Sequence, residues 1–323
     1  MKKILAFLQF FTILIFFSSC EKDNFLGPSI ETLYGELIIL EPFSNDKPIG
    51  VDFSANDTVK FNCSFSISAD YQIDIIGKTS GANYTLSGVA SDLSEAYWCG
   101  ESNDIFFKQS EFCDILLSFN GHDTILSDSV LILGERDFSN LGVLLTSFED
   151  PSEYSTVTGS NTVQLAANSN PNFAIHGTNY LYALGSGSEA WFGAVRFIWP
   201  SGPITVTDPA NVYFNGFFST EYSGSAFVLK VFEDENANGS YDAGIDEAYS
   251  IKVALNNDDH WHKKSISLND LVIDQSGNNT LINGILKPEN IIRIDVTNSQ
   301  SGTAQGDYGY SADYFIITYN EPL

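Results

Sequence analysis

The chain has 323 residues, with 41 acidic against 15 basic side chains and a formal net charge of −26. Phosphate contacts need basic stripes and none occurs, so nucleic acid and anionic membrane surfaces are poor partners, leaving neutral ligands, basic ligands and divalent cations. With 25 phenylalanines, 15 tyrosines and one methionine, the composition favours strands over helices, and its apolar content is ample for a packed core.

Residues 1–19 read as a secretory signal. Lys2 and Lys3 precede an apolar stretch, Ile4 to Phe17, too short for the roughly 20 residues of a membrane span. The following Phe17-Ser18-Ser19-Cys20 resembles a bacterial lipobox, with phenylalanine where leucine is commoner. The resemblance implies lipidation of Cys20 and anchoring in the outer membrane through that lipid. Glu21-Lys22-Asp23-Asn24 resembles the surface-export signal of one group of outer-membrane lipoproteins, which implies display on the cell exterior. Residues 20–30 form a short tether.

Residues 31–135 carry clean period-two alternation. In "TVKFNCSFSI", Val59, Phe61, Cys63, Phe65 and Ile67 share one face; "YQIDIIG" and "EFCDILLSF" alternate in the same way, and "TILSDSVLIL" follows. About seven short strands with Gly, Asn and Asp between them predict a β-sandwich that resembles an immunoglobulin domain. The resemblance implies an inter-sheet bridge between the inward-facing Cys63 and Cys113. Pairing of Cys99 with Cys113, or no bridge, stays open, and Trp98 is not on the strand where that family keeps its tryptophan. Residues 136–142 read as a linker, since "GERDFSN" has no periodicity.

Residues 143–323 are again β-rich, with no helical period and long Gly/Ser/Asn connections. "SAFVLKVFED" places Phe227, Leu229 and Val231 on one face, and "EAYSIKVAL", "NIIRIDVTN" and "SADYFIITYN" add further strands. The expected class is all-β throughout: an immunoglobulin-like sandwich followed by a jelly-roll sandwich.

Between two of these strands lies "EDENANGSYDAGIDE". Counted from Asp234, oxygen side chains fall at the first, third and fifth positions (Asp234, Asn236, Asn238). Gly239 follows where the loop must turn, then Ser240, whose carbonyl is available, and Asp242. This order suits a hard cation with six to eight oxygen ligands. Ile245 stands where an EF-hand has its bidentate carboxylate, with Asp246 just beyond, and the flanks are strands. The expectation is a structural calcium loop in a hairpin, although Asp, Asn and Gly are also ordinary turn formers.

"LLTSFED", "NVYFNGFF", "HWHKKSISLNDL" and "ADYFII" together resemble a galactose-binding-like, carbohydrate-binding-module-like β-sandwich across most of residues 143–320. That resemblance implies glycan binding and a second structural calcium between the first and last strands, at Glu149 and Asp313. A lipid-anchored chain of this order resembles the surface glycan-binding proteins of bacterial polysaccharide-uptake systems, which implies other outer-membrane uptake proteins as partners. Sugar faces stack on aromatic rings, so Trp191, Trp199, Tyr180, Tyr222, Tyr308 and Tyr310 are the candidate ligand contacts. His260-Trp261-His262 offers two imidazoles but no further zinc ligand. No Gly-x-Ser-x-Gly elbow, His-Glu-x-x-His or phosphate loop occurs. The expectation is non-catalytic glycan capture, with a structural or adhesive protein-binding lipoprotein as the alternative.

Overall fold

A computed structural model describes residues 35–187, 191–274, 283–300 and 306–323, with Trp191 described through its backbone alone. The signal, Cys20 and the tether, the Trp191 side chain, and the segments 188–190, 275–282 and 301–305 lie outside the described residues.

Seven strands form the first unit: β1 (Ile39–Asn45), β2 (Val51–Asp52), β3 (Val59–Gly77), β4 (Asn83–Asp92), β5 (Tyr97–Trp98), β6 (Phe112–Phe119) and β7 (His122–Gly134). They join in one hydrogen-bonded sheet, in the order β1-β3-β6-β7-β2, with β4 and β5 also on β3. β2 pairs with β7 in parallel. The sheet curls round one core containing Phe61, Ile73, Trp98, Ile115 and Ile132.

β3 is 19 residues long and takes in two stretches that read separately in the sequence. Its start pairs with β1, whereas its end lies between β4 and β6. This geometry overturns the expected Cys63–Cys113 bridge. Cys113 sits opposite Gly77, at the far end of β3 from Cys63. The Cys63 thiol donates instead to the carbonyl of Glu41 at 3.3 Å, and Cys63, Cys99 and Cys113 are all free.

The second unit is a sandwich of two antiparallel sheets. Its strands are β8 (Gly142–Thr146), β9 (Ser155–Thr158), β10 (Thr162–Ser169), β11 (Asn179–Ser186), β12 (Trp191–Ile198), β13 (Val212–Ser219), β14 (Ser225–Glu233), β15 (Ala248–Ala254), β16 (His262–Ser267), β17 (Val272–Ile273), β18 (Ile291–Gln300) and β19 (Asp307–Tyr319). One sheet runs β10-β11-β19-β13-β16 with β8 also on β19; the other runs β17-β15-β14-β18-β12-β9. Alternate residues of both face inward, as the pleat requires. Leu181, Phe214, Phe218 and Phe315 meet Phe227, Leu229, Val231, Ile294 and Val296 in one core. The rings of Phe218 and Phe227 stack at 4.2 Å.

β19 changes phase midway. Tyr308, Tyr310 and Ala312 face the sandwich core, and so do Phe315 and Ile317. The switch from even to odd positions falls at Tyr314, whose φ is +49°, beside a register shift against β13. One extra residue in a strand produces this inversion. It turns Tyr314 and Ile316 outward, where they join Phe217 and Ile175 against Phe106 of the first unit and Phe138 of the connecting stretch. Phe106 stacks on Phe138 at 4.6 Å and meets Phe217 and Tyr314 edge-on at 4.7 and 5.0 Å. The stretch read as a linker therefore contributes a buried ring to a junction between the two units.

Candidate functional site

The β14–β15 loop gathers most of the oxygen groups expected of it. Asp234 accepts the backbone N–H of Asn238 at 3.1 Å and of Gly239 at 2.7 Å. The Asn236 and Asn238 side-chain amides both donate to Oδ2 of Asp242, at 3.2 and 2.6 Å. Asp246, fully buried, accepts from the N–H groups of Glu235 and Asp242 at 2.9 and 2.6 Å. Ser240 enters through its N–H, donated to Asn238 Oδ1 at 2.8 Å. Gly239 has φ +80°, a conformation that side-chain-bearing residues rarely adopt. The Ile245 side chain is 51 % exposed and brings no oxygen, its N–H donating to the Asp242 carbonyl at 3.0 Å. Three carboxylates and two amide side chains thus share one hydrogen-bonded turn.

Glu149 and Asp313 are drawn to one loop, residues 175–179. Glu149 accepts from the N–H of Thr178 and of Asn179, at 2.7 and 2.6 Å. Asp313, at 0 % exposure, accepts from the N–H groups of Ile175 and His176 at 2.8 and 3.1 Å. Burial pushes the Asp313 carboxyl well above the ordinary range against these hydrogen bonds, and the charge of Glu149 adds to the rise. A Cβ at Gly177 would stand 2.5 Å from a Glu149 oxygen, so glycine permits the approach.

A third carboxylate group escaped the sequence reading. Glu233, Glu235 and Glu247 each place an oxygen within 4.8 Å of the others. Alternation along β14 conceals it, because Glu233 looks like the polar end of an ordinary strand.

The aromatic candidates divide. Tyr308 and Tyr310 are 0 % and 1 % exposed, so they are core residues and not ligand contacts. The cause is the position of β19 at the centre of its sheet, where these side chains face the opposite sheet. Trp199 is half-buried against Phe197 at 6.5 Å. The Tyr222 hydroxyl lies 3.3 Å from that of Tyr182, away from both clefts described below. Tyr180 packs beside Phe173 at 4.9 Å and Trp261 at 6.4 Å.

That last group borders a cleft of about 460 Å³ between the units. Half-buried Phe173 and Trp261 meet there at 5.0 Å, and the indole N–H of Trp261 donates to the carbonyl of Phe173 at 2.8 Å, which fixes the ring. The first unit supplies Asn83, Asp104 and Lys108 to the lining, and the second supplies Asn172, Asp259 and His260. Lys108 Nζ also donates to the carbonyl of Pro171 across the cleft at 2.6 Å. Two aromatic faces among amide, carboxylate and ammonium groups can take up a ligand with both C–H faces and hydroxyls. His262 is paired with Asp258 at 2.9 Å, and nothing joins it to His260 as a metal pair.

A second groove, about 570 Å³, crosses the outer face of the β14-β18-β12 sheet. Two of the chain's three arginines lie in it and share one carboxylate: Arg196 Nε and Arg293 Nε stand 3.0 and 2.9 Å from Asp295 Oδ1. Burial alone would raise the Asp295 carboxyl, but the hydrogen bonds from Arg293 and Arg196 outweigh it and hold the group below the ordinary value. Lys230 pairs with Asp274. The ring of Phe232 is covered by the Arg293 guanidinium at 3.9 Å and the Lys230 ammonium at 5.0 Å. This groove thus presents ion pairs and no bare aromatic face.

No family model matches the sequence, and no curated protein does. Among solved structures, the chain is similar to the family 11 carbohydrate-binding module of a cellulosomal cellulase of Clostridium thermocellum, at 12% identity over 55% of this chain and 94% of that one, TM-score 0.40. A structure described as showing the promiscuous specificity of carbohydrate-binding modules of the β-sandwich superfamily matches at 10% identity over 87% and 97%, TM-score 0.38. A family 30 carbohydrate-binding module of another cellulosomal cellulase of Clostridium thermocellum matches at 14% identity over 52% and 92%, TM-score 0.36. Similarity of this degree assigns no ligand to the present chain.

Proposed function

We propose that the protein is a lipid-anchored cell-surface binding protein that captures a glycan without catalysis. The observation that carries this reading is the junction cleft, where Phe173 and Trp261 offer held aromatic faces beside polar groups from both units. The covered ring of Phe232 makes the sheet groove the weaker candidate for sugar stacking. In this reading the immunoglobulin-like first unit is more than a spacer, since Asn83, Asp104 and Lys108 complete the binding wall. Anchoring rests on Cys20 and its surroundings, and outer-membrane uptake proteins are the expected neighbours.

Calcium belongs to the same reading as a structural ion. Asp234, Asn236, Asn238, Asp242 and Asp246 would hold one in the β14–β15 loop, and Glu149 with Asp313 a second. The ion would neutralise carboxylates that otherwise repel one another, so its contribution is to stability.

The test is affinity electrophoresis through gels containing neutral and uronate-bearing polysaccharides. We expect one polysaccharide to retard the wild-type protein, and Trp261→Ala to weaken that retardation about fivefold or more, since stacking on one ring contributes about 1 kcal/mol or more. Retention by no polysaccharide, together with specific capture of one protein partner, would favour the adhesive alternative. Retention that survives Trp261→Ala but is lost in Arg196→Ala would move the site to the sheet groove.

A further inference from the structure

We propose that Glu233, Glu235 and Glu247 form a divalent-cation site of their own at the base of the β14–β15 hairpin, of calcium-binding chemistry. The three carboxylates share no residue with the donors gathered in the hairpin loop, and each places an oxygen within 4.8 Å of the other two.

The surroundings are built and nearly closed. Glu233 and Glu247 are 0 % and 1 % exposed and are joined across the hairpin, Glu233 N–H donating to the carbonyl of Glu247 at 3.0 Å. Glu247 accepts from the N–H groups of Asn283 and Gly284, at 3.2 and 3.1 Å, and from the Tyr249 hydroxyl at 2.9 Å. Glu235 accepts from Asn283 Nδ2 at 3.1 Å and from Lys287 Nζ at 2.8 Å. Glu233 takes the backbone N–H of Lys287 on Oε1.

A second observation points to a ligand: Oε2 of Glu233 is buried and has no hydrogen-bond partner. A buried carboxyl oxygen without a partner is costly, and the remedies are a proton, an opposite charge or a metal. Lys287 supplies one ammonium, but it engages Glu235, so three carboxyl groups share one positive charge. Glutamate oxygens are hard ligands suited to calcium, whose flexible coordination tolerates mixed carboxylates and water. A cation here would tie the start of β15 and the end of β14 to the segment 283–287 that leads into β18. The hairpin would then carry two ions, one in its turn and one at its base.

The experiment counts calcium bound to the full chain by equilibrium dialysis and follows thermal unfolding with calcium and with chelator. Glu235→Gln, at the half-exposed member, is expected to remove one calcium per chain in the wild type and equally in an Asp234→Asn/Asp242→Asn background. Burial already disfavours the charged form of Glu233, so Glu233→Gln should leave the melting temperature in chelator nearly unchanged while shrinking the rise that calcium produces. A plain structural defect would lower both. Unchanged calcium counts in both glutamine variants, or a melting temperature lowered equally with and without calcium, would overturn the proposal. Should the loop variant alone leave the count unchanged, the loop reading fails and the site at the hairpin base stands.

Discussion

The Tyr310 hydroxyl is buried with no hydrogen-bond partner. The ring packs edge-on to Phe218 at 5.4 Å, so its apolar contacts are sound and only the oxygen is misplaced. Tyr310→Phe is therefore expected to raise stability by about 1 kcal/mol in urea unfolding, where a mutation breaking a real hydrogen bond would lower it by a similar amount. Asp295 shows the reverse economy. Its carboxyl is buried, binds two guanidiniums and is held below its ordinary value. A depressed carboxyl contributes stability that is present above its unfolded pKa and lost as pH falls through the folded one. Asp295→Asn should cost about 3 kcal/mol near neutral pH, by leaving two guanidiniums unanswered. The gap to wild type should narrow only below the ordinary aspartate value of about 3.9, as acid unfolding curves would reveal. At this scale the sequence was readable where spacing sets a turn. Asp234, Asn236, Asn238, Asp242 and Asp246 were all named from spacing, and they share one hydrogen-bonded turn, as Asp and Asn do in turns without a metal. Tyr308 and Tyr310 were misplaced because a tyrosine in a Gly-rich stretch looks the same whether its strand is at the edge or the centre of a sheet.

Among the elements, period-two patterning placed the strands but not their limits. Val59, Phe61, Cys63, Phe65, Ala69, Ile73 and Ile75 are buried, and all are odd-numbered. That phase runs unbroken through the "SAD" between the two stretches taken as separate strands, so the continuity of β3 was legible in it. A continuous strand carries its residues steadily apart, by about 3.3 Å for each step, which is why Cys63 cannot meet a residue opposite Gly77. The bulge at Tyr314 was not legible in the same way. "DYFII" gives four successive residues with no polar break after Asp313, and a strand covered on both faces reads identically. The inversion matters, because without it Ile316 would point into the sandwich and the surface that receives the first unit would be lost.

For the whole molecule the decisive contact is the aromatic junction. Phe106, Phe138, Phe217 and Tyr314 bring together residues from four separate stretches of chain, and no local pattern could announce the pairing. Phe106→Ala should cost about 3–5 kcal/mol, the usual effect of deleting a buried phenylalanine. Its distinctive sign would be separation of the unfolding of the two units into two calorimetric transitions, together with faster proteolysis near residues 134–142. The calcium binding proposed for the hairpin, remote in the sheet order from this contact, should be unaffected. If glycan is held in the junction cleft, retention should fall with the same substitution, because Lys108 would no longer be fixed against the second unit.

β19 lies between β11 and β13 and also carries β8, so it is the hub of its sheet. It also follows every other strand of that sheet in sequence. During synthesis every other strand of that sheet emerges before the one that binds them together. The sandwich therefore cannot close stepwise behind the ribosome, and its earlier strands wait with open edges until β19 arrives. Pairing of β8 with β19 spans almost the whole unit, a long-range closure of the kind that slows folding. A chain built in this order is expected to complete its sandwich late, once β19 is available to join the strands that precede it.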